Sequence, residues 1–287
     1  MRKVEMKHNH IVTGLEHSSK GNQLKWEQDG WWYKVDQFGY ESLAEVVVSR
    51  LLGKSNITDA ALYEPVVIQY KGKEYRGCRS RNFRAPREEL IHLERLVRTY
   101  TGTGLAKQLA RITEVRDRII YTEELVRNIT GLENFGEYIA KTLEIDAFFL
   151  NEDRHTNNIS LLYHVDTKEY RLCPFYDMGL ALLADTRESY PLQMDYFACR
   201  EQVKAKPFSR DFDEQLDAAN TLYGCFLKFD FFANRVADVI EELKGQFLLS
   251  EEDVANGIAS GYTLKEFNRV EDVLRYQASK YQYMFKD

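Results

Sequence analysis

The N-terminal part of the chain alternates apolar and polar residues at strand spacing, and the remainder is spaced mainly as helices. Residues 23–28 and 31–35 are short runs rich in aromatic and branched side chains. Asp29-Gly30 joins them, a pair suited to a two-residue hairpin turn because both residues tolerate left-handed backbone. Residues 61–70 and 73–81 make a second hairpin around Lys71-Gly72-Lys73. Between the two, Leu43, Val47 and Leu51 recur at intervals of four within 40–52, the apolar stripe of a helix. Residues 8–16 read as a further first strand, and 17–22 as a polar loop ahead of the hairpin.

Around residues 82–86 the strand pattern stops and helical spacing takes over. Helices are expected over 88–98, 105–111, 122–129 and 133–150, then two β-favouring runs, 159–165 and 170–175, split by Asp166-Thr167-Lys168-Glu169. Residues 183–210 lack periodicity, are rich in Tyr, Arg and Lys, and occupy the place of an activation or substrate-binding segment. Long helices come next at 213–244 and 263–285, with Ser250-x-x-Asp253 and Thr263-x-x-Glu266 as capping boxes. The pattern predicts an α+β protein with a small, mainly β N-terminal lobe over 1–84 and a larger helical C-terminal lobe over 85–287.

Composition narrows the classes. A chain of 287 residues can bury a sizeable core, as one two-lobed unit or two closely packed domains. Its 44% hydrophobic and 29% charged content is ordinary for a globular chain. A net charge of −6, with no concentrated basic face, argues against direct binding of nucleic acid. No run approaches the roughly 18 apolar residues of a membrane span. No apolar run succeeds the charged start either, so no signal peptide is expected. The four cysteines (Cys78, Cys173, Cys199, Cys225) are scattered without a Cys-x-x-Cys spacing. They read as reduced thiols of a cytoplasmic protein and not as a zinc site or disulfide frame.

The chemistry concentrates in Leu150-Asn151-Glu152-Asp153-Arg154-His155-Thr156-Asn157-Asn158 and in Pro174-Phe175-Tyr176-Asp177-Met178-Gly179. Asp153 and Asn158 have the Asp-x-x-x-x-Asn spacing of a kinase catalytic loop, where the Asp accepts a hydroxyl proton and the Asn holds magnesium. Asp177-Met178-Gly179 is similar to the kinase element whose Asp holds magnesium on the phosphates. Asn158 and Asp177 are equidistant from the centre of the 166–169 tetrad. In an antiparallel hairpin they would face each other at its open end, roughly 5 Å apart between Cα atoms. Two such oxygen ligands, completed by phosphate and water, suit magnesium. The plain alternative is that both residues cap a surface hairpin.

The segment resembles the HipA-like serine/threonine kinases, whose signatures Asp-x-His-x-x-Asn and Pro-x-Tyr-Asp are matched by Asp153-Arg154-His155-Thr156-Asn157-Asn158 and Pro174-Phe175-Tyr176-Asp177. The likeness is specific over about 146–182, weaker over the first fifty residues, and only architectural beyond. Two departures stand out: the family often has Lys where this chain has Asn157, and its longer members carry an extra N-terminal subdomain not seen here. The resemblance implies a two-lobed protein-kinase-like fold that uses ATP and Mg2+. Lys34 would orient phosphates and Glu45 would hold Lys34, with Glu41 the alternative one turn earlier. Asp153 would be the base, His155 a backbone buttress of the loop, and Asn158 and Asp177 the metal ligands. Ser18, Ser19, Lys20 and Gly21 would form the phosphate loop, with Ser18 or Ser19 open to autophosphorylation. Adenine would lie against backbone near 82–86. Arg79, Arg81 and Arg84 read as solvated charges at that junction, and Arg154 as a support for Asp153 or for a phosphorylated loop, or as a solvated side chain.

A protein substrate, and an antitoxin-like or regulatory protein partner, are the interactions the resemblance implies. Two rival readings stay open: a kinase of small molecules or phosphoinositides, and a non-catalytic pseudokinase that binds nucleotide or a partner.

Overall fold

The computed structural model describes residues 2–7, 23–258 and 261–286. The expected strand at 8–16 and the loop carrying Ser18, Ser19, Lys20 and Gly21 lie outside the described residues. Five strands form the first sheet: β1 (Arg2–Glu5), β2 (Lys25–Gln28), β3 (Trp31–Val35), β4 (Tyr63–Tyr70) and β5 (Lys73–Arg81), in the order β1-β4-β5-β3-β2. Both expected hairpins form. Their turns place Asp29 and Gly30, then Lys71 and Gly72, at positive φ, the backbone that two-residue turns of this hand require. β1 is not among the expected strands. It pairs parallel to β4, Arg2 opposite Val66 through Glu5 opposite Gln69. Its side chains are mostly exposed, so backbone pairing and not a buried face holds it, and no alternation shows in its sequence.

One face of this sheet packs Trp26, Tyr33, Val35, Val66, Ile68 and Tyr70 with Met6. The other carries Lys34, which lies opposite Cys78, and is covered by α1 (Glu41–Leu52). Only Arg50 of α1 escapes burial, so the helix is enclosed on all sides and not along the one stripe its leucines mark. The entry to α1 is held by a buried polar network. Asp36 accepts from the Ser42 N–H at 2.7 Å, from the Tyr262 hydroxyl at 3.2 Å, and pairs with Arg76 at 3.1 Å. Arg76 also reaches Glu266 at 2.7 Å.

Burial pushes the Asp36 carboxyl up to about 7, against the opposing pull of Arg76. A carboxyl whose folded pKa lies above its unfolded value favours the fold below the unfolded pKa. That contribution falls as pH rises through the folded pKa. Between pH 4 and 7 the wild-type stability is therefore expected to decline relative to Asp36→Asn, by up to about 4 kcal/mol. Urea melts of both proteins across that range check this, and parallel profiles would remove the assignment.

Beyond β5 the chain runs through β6 (Glu88–His92), α2 (Leu93–Thr101), α3 (Leu105–Leu109), α4 (Val115–Thr130), α5 (Phe135–Phe149), β7 (Ser160–His164) and β8 (Tyr170–Leu172). Residues 88–92 are a strand and not the start of a helix. They pair with β7, Glu88 opposite His164 through His92 opposite Ser160, so a long-range partner overrides local spacing.

The β7–β8 register also departs from expectation. The hairpin closes with the His164 N–H on the Glu169 carbonyl at 2.9 Å, and Leu161 faces Leu172. Its turn thus begins one residue early, because the Val165 N–H is given to the Arg87 carbonyl at 2.9 Å instead of staying in the hairpin. Carried onward, this register sets Asn158 opposite Phe175 and not opposite Asp177.

The C-terminal elements are α6 (Tyr196–Gln202), α7 (Phe212–Tyr223), α8 (Val236–Phe247), α9 (Glu251–Ala255) and α10 (Leu264–Lys280). The single helix expected over 213–244 is two. α7 stops at Gly224, at φ 94°, and the buried Glu144 carboxylate then takes the N–H groups of Phe226 and Leu227 at 2.9 and 2.7 Å. Both capping boxes are present, at Ser250–Asp253 and Thr263–Glu266. The chain divides into two compact units: residues 1–82 with 176–203 and 228–287, and residues 83–175 with 204–227.

Candidate active site

Within the second unit the site is built from the end of α5. Asp146 stands among fully buried neighbours, Ile145, Ala147, Phe148 and Phe149. Its carboxylate accepts from Asn151 Nδ2 at 2.7 Å and from Arg154 Nε at 2.8 Å and Nη2 at 3.0 Å. Burial raises the Asp146 carboxyl above the ordinary range, and Arg154 opposes that shift. Arg154 is itself buried and donates from Nη1 to the Asn158 carbonyl at 2.8 Å, so it is a strut of the loop and not a solvated charge. Thr156 is tied to Glu94 of α2 through its hydroxyl at 2.9 Å. These anchors fix the turn on which Asp153 and Asn158 stand.

Asn158 Nδ2 donates to the Asp153 carbonyl at 2.7 Å and to Asp153 Oδ2 at 3.0 Å. With its nitrogen used this way, the amide oxygen becomes the ligand atom Asn158 can offer a cation. Around the other carboxylate oxygen, Oδ1, stand His155 Nε2 at 3.7 Å and Lys206 Nζ at 4.0 Å. The His155 N–H also donates to the Asp153 carbonyl at 2.8 Å, and the Asn158 N–H to the His155 carbonyl at 2.7 Å, so the histidine backbone closes the turn.

Within the first unit, Lys34 Nζ lies 2.7 Å from Glu45 Oε1 and 2.6 Å from Asp177 Oδ1. Burial works against the charge on Lys34, yet Asp177 and Glu45 together raise its ammonium well above the usual lysine range. Burial raises the Glu45 carboxyl, because the lysine that compensates it is shared with Asp177. Glu45 Oε2 accepts from the Met178 N–H at 2.9 Å, which ties α1 to the backbone beside Asp177. Glu41 does other work: its carboxylate takes the N–H groups of Gln37, Phe38 and Gly39 at 2.6–2.8 Å.

The segment after Asp177 is strapped to the same helix end. The Tyr40 hydroxyl donates to the Leu182 carbonyl at 2.6 Å, and the Tyr40 N–H to the Ala184 carbonyl at 3.2 Å. At Gly39 an added Cβ would meet the Ala184 carbonyl, so only glycine allows this approach. Asp177 has φ 63°, as do Leu182 and Leu183 nearly, an uncommon cluster of left-handed non-glycine residues. Arg79 and Arg81 are not an anion site. Each guanidinium lies 4.0 Å from the centre of the Trp31 ring, and Arg79 is buried and paired with Glu64, so it is not the solvated charge expected.

Compared with solved structures, the chain is similar to the Helicobacter pylori proinflammatory kinase CtkA, with a TM-score of 0.60 at 15% identity over 96% of this chain and 95% of that one. The chain has a kinase fold. No protein-family model and no curated protein sequence matches it. Weaker likenesses are to the HipA of a Shewanella oneidensis toxin–antitoxin system, solved with HipB and operator DNA, and to a choline/ethanolamine kinase family protein of Mesorhizobium loti. The first has a TM-score of 0.46 at 11% identity over 95% of this chain and 62% of that one. The second has a TM-score of 0.26 at 13% identity over 94% and 86%.

Among the described residues no cluster of three or more His, Cys, Asp or Glu side chains forms a metal cage, so a divalent cation at the lysine triad would rely on Asp177 and on ligands from outside the protein. One ammonium faces two carboxylates, so Lys34, Glu45 and Asp177 together keep a net negative charge, and Asp177, with 26% of its side chain exposed, offers hard oxygen ligands. Sequence reasoning missed Asp146, Glu94 and Lys206. Asp146 carried a visible signal, an acidic residue that with Glu144 interrupts an apolar helix end, whereas Glu94 and Lys206 reach the site from distant parts of the chain.

Proposed function

We propose that the protein is an ATP- and magnesium-dependent kinase of HipA-like type that transfers the γ-phosphoryl group to a serine or threonine hydroxyl of a protein. The observation that carries the reading is the Lys34–Glu45–Asp177 triad, a buried lysine held between a helix glutamate and the Asp of an Asp-x-Gly element. In this reading Lys34, freed from part of its pairing, orients the nucleotide phosphates, and Glu45 keeps it in place. Asp177 and the Asn158 amide oxygen are the side-chain groups that would hold magnesium. Magnesium, when bound, would draw charge from the β- and γ-phosphate oxygens.

Asp153 orients the acceptor hydroxyl and takes its proton as the new P–O bond forms. Arg154, through Asp146 below and the Asn158 carbonyl above, holds base and ligand on one rigid turn. His155 supports the same turn through its backbone. Transfer from ATP radiolabelled on the γ-phosphate tests the reading. Label on serine or threonine, present with magnesium and absent with EDTA, is the expected result. Label on an amino alcohol or inositol lipid instead would overturn the protein-kinase class, and no transfer to any hydroxyl or to water would favour a pseudokinase.

A further inference from the structure

Lys206 lies in the aperiodic stretch between Leu183 and Arg210, far in sequence from the loop it approaches. Its Nζ is 4.0 Å from Asp153 Oδ1, and 42% of its side chain is exposed against 10% for Asp153. The backbone around it is fixed. Ala205 and Phe208 are buried, and the Ala205 N–H donates to the Arg210 carbonyl at 3.0 Å. Arg118 of α4 donates to the Phe208 carbonyl at 2.5 Å from Nη1 and to the Ile112 carbonyl at 2.8 Å from Nε. The ammonium is therefore presented from an anchored loop by a partly exposed side chain.

The loop from Asp153 to Asn158 presents no lysine or arginine of its own to solvent. Its one permanent cation, Arg154, is turned inward onto Asp146, and the exposed residue beside the metal-type ligand is the neutral Asn157. Asp153 Oδ2 is held by Asn158, so Oδ1 is the oxygen that faces Lys206. Two groups 4.0 Å apart form no hydrogen bond with each other. A single oxygen can nevertheless sit about 2.8 Å from both. A group engaged by Asp153 Oδ1 thus comes within reach of a full positive charge.

We propose that Lys206 is a catalytic residue that contacts the transferring phosphoryl group beside Asp153, an inference that rests on the kinase reading above. The acceptor oxygen attacks the γ-phosphorus, and the bond from that phosphorus to the β,γ-bridging oxygen breaks, its electron pair leaving with ADP. The acceptor proton passes to Asp153 Oδ1. Lys206 stays protonated throughout and donates N–H to the phosphoryl oxygens, where charge is spread in a loose transition state.

ADP release from magnesium ATP, with water as the acceptor, is measured for wild type, Lys206→Ala and Lys206→Arg, alongside ATP binding by calorimetry and thermal melts. Lys206→Ala is expected to lower kcat by about 100-fold or more, with the Kd for ATP within about threefold of wild type, because the contact forms in the transition state. Lys206→Arg keeps the charge and recovers a large part of that loss. An active wild type with an equally active Lys206→Ala overturns the proposal alone. So does an equal loss in both variants accompanied by a lower melting temperature, which would mark a structural residue. A wild type that transfers phosphate neither to water nor to any hydroxyl acceptor removes the kinase reading, and this proposal with it.

Discussion

Asp153→Asn is expected to lower phosphoryl transfer by about 100- to 10,000-fold while the Kd for ATP stays within about threefold. The substitution keeps the shape of the side chain and an oxygen for Asn158 Nδ2, whose 3.0 Å bond to Oδ2 is part of the turn. What it removes is the basicity that accepts a proton during attack, and that matters only as the reaction proceeds. Ground-state binding of nucleotide, assigned to Lys34 and Asp177, is left alone. Transfer rates and calorimetry on the same preparation separate the two effects. Turnover near the wild-type rate would show that Asp153 is not the base. A parallel loss of ATP affinity and thermal stability would show that its role is to hold the loop.

How far the sequence foretold this arrangement depended on the range over which each feature is encoded. The two hairpins of the first sheet were legible because Asp29-Gly30 and Lys71-Gly72 are local signals, and the capping boxes at Ser250 and Thr263 are complete within four residues. The Asp153–Asn158 spacing was legible for the same reason. The pairing of Lys34 with a helix glutamate was implied by the resemblance to HipA-like kinases and not by periodicity, which left Glu41 and Glu45 both open; the fold gives the contact to Glu45. Failures came where a distant partner decides local conformation. Residues 88–92 have no strand pattern of their own and become β6 by pairing with β7. Arg2–Glu5 is a strand only because β4 offers it an edge.

The β7–β8 hairpin shows how small such an influence needs to be. One hydrogen bond from Val165 to Arg87, outside the hairpin, starts its turn a residue early and moves the partner of Asn158 by two. Symmetry about the turn therefore does not pair Asn158 with Asp177. Their assignment as metal ligands rests instead on the chemistry of each side chain: the Asn158 amide nitrogen is bound to Asp153, and the Asp177 carboxylate is one of two on a single lysine. The supporting layer was invisible for the same long-range reason. Arg154 could be read as solvated or as a strut, and only the fold brings Asp146 beneath it.

Asp177→Ala is expected to abolish the dependence of ATP binding on magnesium, and with it transfer. In the wild type Asp177 Oδ1 sits 2.6 Å from Lys34 Nζ, which Glu45 also contacts at 2.7 Å, so the lysine is charged and doubly paired. Without the aspartate, Lys34 keeps Glu45 and regains donors for phosphate oxygens, while the proposed cation site would lose its carboxylate. Affinity in EDTA should then hold or rise, and affinity in magnesium should fall by about tenfold or more, since a charge-assisted contact of this kind is worth roughly 1.5–3 kcal/mol. The opposite signs matter. General damage to the fold would weaken binding under both conditions, and the tie from Glu45 to the Met178 N–H, which the variant retains, gives the segment a reason to stay in place. Calorimetric titration of ATP into both proteins, each with magnesium and with EDTA, reads the four affinities. A variant that still binds ATP more tightly with magnesium, by the wild-type factor, would remove Asp177 from the metal site and leave it as the counter-charge of Lys34.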